Sequence, residues 1–235
     1  MSIPSTINTH NWDKATTDLD NTGYAILPKV LTAAECDELV QQYTNDTLFR
    51  KTVIMERHQY GKGEYKYYAY PLLPVIQQLR ESVYPKLAPV ANGWMEALNK
   101  STRFPDTLAQ LLEHCHANGQ LKPTALILQY AKGGFNALHQ DLYGDVFFPM
   151  QMVIFLDEAG KDYEGGEFVL IEQKPRAQSK AIVLKPAKGD MLIFTTNFRA
   201  VKGKTGYHRV NMKHGVSEIT EGNRHTLGII FHDAK

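Results

Sequence analysis

The stretch at 136–144 reads "NALHQDLYG", placing His139 and Asp141 two residues apart in a neutral, turn-prone segment. At the end of a strand, residues i and i+2 project to the same side, so both side chains can converge on one ion. A redox-active iron site uses two neutral imidazoles and one carboxylate on one face of the metal, with the other positions open. His139 and Asp141 suit two of those places. Alone, a His-x-Asp pair says little in a chain with 9 histidines and 25 acidic residues, where a loop histidine often sits near a turn aspartate. The downstream "HGVSEITEGNRHTLGIIF" supplies more: His214 precedes Arg224 by ten residues, and Thr226 follows two residues later. "SEITEG" is turn-like and its flanks are strand-like. This predicts a hairpin carrying His214 and Arg224 into one barrel mouth. Arginine offers a planar fork that grips a carboxylate with two bonds, and Thr226, on the same side, can add a hydroxyl. Such a set fits an iron enzyme with a dicarboxylate co-substrate.

The elements that must position these residues change type along the chain. The first half reads as mainly helical. A weak helix runs from Trp12 and ends at Gly23, and "GYAILP" is a short strand. Thr32 with Glu35 has capping-box spacing, so a helix starts there. The segment 49–70 holds two strand-like runs around a Gly-Lys-Gly turn. "LPVIQQLRESVYPKLAPVANGWMEAL" is helical, with a break or bend expected near Pro85 and Pro89. A further helix over 105–118 closes at Gly119. From residue 124 onward short β-type runs follow one another, punctuated by Gly, Pro, Asn and Asp. Many close-spaced strands predict a sandwich or barrel, and their count suits a jelly roll. The predicted class is therefore α+β, with a mainly helical part at 1–123 packed on a jelly-roll core at 124–235.

Taken together, "HQD" at 139–141, His214 and Arg224 resemble the signature of the Fe(II)- and 2-oxoglutarate-dependent dioxygenases. "GGEFVL" at 165–170 and "KPAKGDMLIF" at 185–194 are similar to that family's strand motifs between the ligands. Across nearly the whole chain, "RHQYGKGEYKYYAYPL", "LHQDLYGDVFFPMQ", "EFVLIEQKPRAQS" and "RHTLGIIFHDA" resemble a bacterial subgroup described as oxygenases acting on damaged DNA. The resemblance implies a double-stranded β-helix core. It implies Fe(II) on His139, Asp141 and His214, and 2-oxoglutarate held by Arg224, Thr226 and Tyr130. With O2 the implied reaction hydroxylates a C–H bond and releases succinate and CO2. The substrate class stays open between a small molecule, a protein side chain and an alkylated nucleobase, the last giving oxidative demethylation. A non-catalytic ligand-sensing barrel is the alternative from another class.

Other residues compete for these roles. His208 lies too far from Arg224 for the family spacing, and His225 adjoins Arg224 and should face the other way. His232 reads as a structural or surface residue near the end of the last strand. His114 and His116 flank Cys115 on a helix, where i and i+2 share no face, so a zinc site is not expected. Gln151 and Asn211 could bond the co-substrate or be satisfied interior amides. Arg176, in a loop, is a candidate for substrate contact. In 49–70, Arg50, Lys51, Arg57, Lys62 and Lys66 interleave with Tyr60, Tyr65, Tyr67, Tyr68 and Tyr70. Rings can stack on bases while cations meet phosphates, so Tyr65 and Tyr67 are the substrate candidates there. A lid over a small substrate and an ordinary packed hairpin fit the same pattern.

Composition bounds the rest. The 235 residues carry 26 basic and 25 acidic groups, which gives no global field for nucleic acid. Two cysteines far apart, Cys36 and Cys115, support neither a disulfide framework nor a cysteine zinc site. No apolar run approaches the roughly 20 residues that cross a bilayer, and no leader is apparent, so a cytoplasmic location and no membrane partner are expected.

Overall fold

The structure, a computed structural model, describes residues 2–174 and 176–235. Five helices, α1 (Ile3–Thr9), α2 (Trp12–Thr22), α3 (Ala33–Gln41), α4 (Pro74–Ala97) and α5 (Leu108–Ala117), accompany the described strands. The first strands are β1 (Tyr24–Leu27), β2 (Phe49–Ile54), β3 (Gly61–Lys62), β4 (Glu64–Tyr68), β5 (Leu126–Ala131), β6 (Phe135–His139) and β7 (Met150–Phe155). They are followed by β8 (Tyr163–Gly165), β9 (Phe168–Gln173), β10 (Lys180–Leu184), β11 (Met191–Thr195), β12 (Phe198–Gly203), β13 (Gly206–Val216) and β14 (Ile219–Ile230).

Local chemistry explains several boundaries. Thr32 Oγ1 accepts from the Glu35 N–H, and the Glu35 carboxylate accepts from the Thr32 N–H at 2.8 Å, so α3 starts where the capping box predicts. Helix α2 ends at Gly23, whose φ of 82° suits a residue without Cβ. Helix α4, however, runs unbroken through Pro85 and Pro89. Each internal proline costs about 3 kcal/mol or more. Leu79, Val83, Leu87, Ala91 and Met95, at four-residue spacing, are all fully buried on one face of α4. Burying each large apolar side chain stabilises by about 1.5–3 kcal/mol, which outweighs the local preference to break.

Two antiparallel sheets form the jelly roll. The larger has the order β1-β11-β7-β14-β5-β4-β2, with β8 beside β14. The smaller runs β10-β9-β13-β6-β3, with β12 beside β13. Residues before 124 thus supply both edges of the large sheet. The alternation of β7 shows how the layers meet. Met152 and Ile154 join the core shared with the helices, while Val153 and Phe155 join Phe168, Leu170, Val210 and Met212 between the sheets. Strands β13 and β14 do not pair with each other, contrary to the predicted hairpin. At Ser217 and Glu218 the chain crosses from the small sheet to the large one, so β13 and β14 face each other across the barrel. A turn-like sequence between two strands is equally compatible with a hairpin and with such a corner. The choice falls to the burial of both inner faces.

Candidate active site

His139 closes β6 and pairs directly with His214 on the adjacent β13. Their rings lie 4.2 Å apart between centroids. Asp141 follows just past the strand end and turns its carboxylate between them. Oδ1 is 3.6 Å from His139 Nε2, and Oδ2 is 3.3 Å from His214 Nε2. One ligand atom from each of the three residues lies within 4.8 Å of the others, a spacing that could hold a metal ion. The backbone and neighbouring rings hold both imidazoles. The Ala137 carbonyl lies 2.7 Å from His139 Nδ1, so Nδ1 carries a proton and Nε2 is the nitrogen turned toward Asp141. His214 lies parallel to Phe168 and edge-on to Phe194.

The electrostatics suit a cation. Burial opposes ionisation of Asp141. The His214 hydrogen bond, the neighbouring imidazoles and a bond from Gln151 outweigh it and hold the carboxyl well below the usual carboxylate range. Burial, then the nearby His139, push the His214 imidazole down against the pull of Asp141, which favours the neutral form a metal ligand needs. Two imidazoles and one carboxylate on one side of a cavity are the donor set that Fe(II) takes in the facial triad.

That cavity, of about 400 Å3, opens between the sheets. Arg224 and Thr226, two apart on β14, both line it, and Arg224 sits directly opposite Tyr130 on β5. The Arg224 side chain is 1% exposed. None of its three side-chain nitrogens has a hydrogen-bond partner among the described residues. Its guanidinium is surrounded by the rings of Tyr130, Phe155 and Tyr163 at 5.2–5.8 Å. A buried cation of this kind is costly unless an anion meets it. The room comes from two glycines with positive φ. A Cβ on Gly63 would lie 2.8 Å from the Tyr130 ring, and one on Gly166 would lie 3.0 Å from Arg224 Cδ. The cavity thus offers three metal donors and an unpartnered cation, which fits a chelating dicarboxylate such as 2-oxoglutarate together with iron.

The rival residues separate as follows. His225 faces away from the cavity and bonds Asp157 at 2.7 Å. His208 lies in the β12–β13 hairpin, outside the cavity lining. His232 is fully buried, not superficial, and its Nδ1 accepts from the Phe148 N–H. His116 contacts Asp233 at 3.1 Å, and the cluster at His139 is the one group of metal-ligand spacing among the described residues. Asn211 is exposed, on the outer side of β13, where it accepts from Arg209. Gln151 donates to Asp141 Oδ2 at 2.9 Å and lies 3.2 Å from His214 Nε2, so it touches the donors themselves.

The substrate candidates divide too. Tyr65 lines the cavity, but Tyr67 lies one layer behind it. Arg176 is exposed in the turn after β9, outside the cavity lining, because β9 carries the chain beyond Phe168, its cavity-lining residue. In 49–70 two of the five cations, Arg50 and Lys66, are engaged within the fold. Arg50 stacks over Tyr67 at 4.5 Å, and the buried Lys66 bonds Asp46 and the Tyr43 carbonyl. Sequence reading named Tyr60 among the 49–70 rings without singling it out, and missed Leu138 and Leu142, all exposed at the mouth, and Tyr143, which donates to Asp141 at 2.9 Å. Tyr143 continues the alternation of 139 and 141, so its signal was present.

A family described as "oxygenase, catalysing oxidative methylation of damaged DNA" has a model that matches residues 63–234. An uncharacterized protein present in two strains of Mycobacterium tuberculosis is 46% identical over 164 residues, covering 70% of each chain. Among solved structures, a prolyl hydroxylase from Trichoplax adhaerens in complex with a hypoxia inducible factor peptide shares the fold. It gives a TM-score of 0.58 at 14% identity over 97% of this chain and 91% of that one. A prolyl-4-hydroxylase from Pseudomonas putida gives 0.57 at 14% identity over 93% and 96%. An oxidoreductase of the 2OG-Fe(II) oxygenase family from Burkholderia pseudomallei gives 0.51 at 15% identity over 96% and 93%.

Proposed function

This chain belongs to that oxygenase family, and on that premise we propose that it is an Fe(II)- and 2-oxoglutarate-dependent dioxygenase hydroxylating a C–H bond of its substrate. His139, Asp141 and His214 would hold the iron. The observation that carries the reading is Arg224: a buried guanidinium with no partner among the described residues, in the same cavity as the three metal donors. It would pair with the far carboxylate of 2-oxoglutarate, with Thr226 and Tyr130 alongside. Iron with its co-substrate supplies the oxidising chemistry, with release of succinate and CO2. The chain's own residues do the rest. Arg224 neutralises and orients the co-substrate, Asp141 balances the metal's charge, and the apolar walls exclude water.

The family description favours a second reading, oxidative demethylation of an alkylated nucleobase, and Tyr60 and Tyr65 could stack a base. Against it, Arg224 is the sole lysine or arginine among the lining residues, and the reading above commits it to the co-substrate. The lining leaves no cation for a phosphate beside the target carbon. We therefore favour an uncharged group as the one that enters, on a small molecule or side chain.

The test is anaerobic titration of the purified apoprotein with Fe(II), then 2-oxoglutarate, following the weak visible charge-transfer band of the chelate. The band should appear in the wild type and vanish in Asp141→Ala. No band from folded wild-type protein would favour a ligand-sensing barrel. Formaldehyde release from a methylated oligonucleotide would establish the nucleobase reading.

A further inference from the structure

We propose that Tyr143 is a positioning residue for the Asp141 carboxylate and that Tyr67 acts through it, a relay resting on the reading of His139, Asp141 and His214 as metal ligands. The two oxygens of Asp141 are bonded from different elements. Tyr143 Oη donates to Oδ1 at 2.9 Å, and Gln151 Nε2, on β7, donates to Oδ2 at 2.9 Å. Rotation about Cβ–Cγ would break both bonds, so the plane of the carboxylate is set before a metal arrives. Each oxygen still keeps a lone pair for coordination.

The direction of the Tyr143 bond is set in turn by Tyr67, whose hydroxyl donates to Tyr143 Oη at 3.2 Å. A phenol has one hydrogen. With a lone pair occupied by Tyr67, Tyr143 turns that hydrogen to Asp141. Tyr67 itself is held firmly. It is buried on β4, stacked under the Arg50 guanidinium, and Arg50 Nε donates to the Pro123 carbonyl at 2.9 Å. The two rings meet edge to face, 89° between planes. The chain Arg50–Tyr67–Tyr143–Asp141 thus ties the edge hairpin of the large sheet to a metal donor beside the small one. It gives part of the tyrosine-rich segment a role other than touching substrate. Partners of this kind orient a ligand and fix its charge toward the metal, and their loss costs about 10–100-fold in metal affinity.

Titration of the full chain with Co(II), read by its visible d–d bands, tests the relay without turnover. Tyr143→Phe keeps the ring and removes only the hydroxyl. It should weaken Co(II) binding by about 10–100-fold and alter the band envelope, with an unchanged melting temperature. Tyr67→Phe should weaken binding by roughly threefold, since it only polarises and directs the first bond. In the Tyr143→Phe background, Tyr67→Phe should add nothing. Affinity within twofold of wild type in Tyr143→Phe would overturn the inference, as would a Tyr67→Phe effect that adds in full. If Tyr143→Phe fails to fold, Tyr67→Phe decides alone, and an affinity equal to wild type overturns the relay. A folded wild type that takes up no cobalt would overturn the ligand reading itself, and the relay with it.

Discussion

Two aspartates, Asp141 and Asp233, occupy similar surroundings with different outcomes. Each receives a tyrosine hydroxyl and lies beside a histidine: Tyr143 and His214 for Asp141, Tyr70 and His116 for Asp233. Asp233 also has a cation, since Arg80 Nη2 lies 3.3 Å away and both side chains are fully buried. Arg80 further donates to the Phe231 carbonyl and the Tyr70 hydroxyl. That knot locks the C-terminal segment to α4. Among the described residues Asp141 has two imidazoles and no lysine or arginine partner, while the cavity's own arginine, Arg224, has no acid. In one place the fold matched an acid to a base; in the other it kept each apart at a cavity wall. Uncompensated buried charge is costly, so the second arrangement persists where ligands complete it.

This contrast can be broken in stages. The largest effect is expected from Asp141→Ala or His214→Ala, which should abolish Fe(II)-dependent turnover of 2-oxoglutarate. Urea unfolding of Asp141→Ala should cost about 1–3 kcal/mol, because Tyr143 and Gln151 lose their acceptor. Arg224→Ala should raise the half-saturating 2-oxoglutarate concentration by about two to four powers of ten, equivalent to about 3–5 kcal/mol, without lowering stability. An unchanged requirement would remove Arg224 from the co-substrate site. Asp233→Ala is its counterpart in the knot. Stranding Arg80 should cost about 3–5 kcal/mol of unfolding free energy, with Co(II) affinity per folded molecule unaltered.

A smaller effect follows from His232. Burial pushes its imidazole down to about 4 from 6.5, against the pull of Asp141 and Asp233. The unfolded chain therefore binds a proton that the folded chain refuses between those values. Stability should fall as pH drops through that window and level off below it, by about 3 kcal/mol at most. His232→Gln should flatten that part of a pH-dependent melting curve. An identical slope in the variant would assign the acid sensitivity elsewhere. The smallest effect belongs to Tyr65→Ala, which should weaken coupling to substrate while leaving substrate-free decay of 2-oxoglutarate intact. Equal loss of both would make Tyr65 structural.

What could be read along the chain was what depends on local spacing. His139 and Asp141 share a side because alternate residues at a strand end do, and the same rule placed Arg224 with Thr226 and turned His225 away. The capping box of Thr32 and Glu35 acts within one turn, so its helix start was legible. The hairpin between His214 and Arg224 was not, since the same turn residues serve a hairpin and a corner between sheets. The unbroken α4 was hidden as well, because what holds it together lies on other elements.

The residue types and spacing by themselves determined the chemistry available: two imidazoles, one carboxylate, one arginine, and strands of the right period to present them. Tertiary structure alone decided which charges go unmatched. Tyr67 meets Tyr143 across 76 residues, and Arg80 meets Asp233 across 153. Nothing in the local pattern says that Asp233 finds a cation and Asp141 does not. Pairing of buried charge depends on which distant elements pack together. Packing is set by the burial of whole sheet and helix faces, a sum over the molecule that no short window of sequence contains.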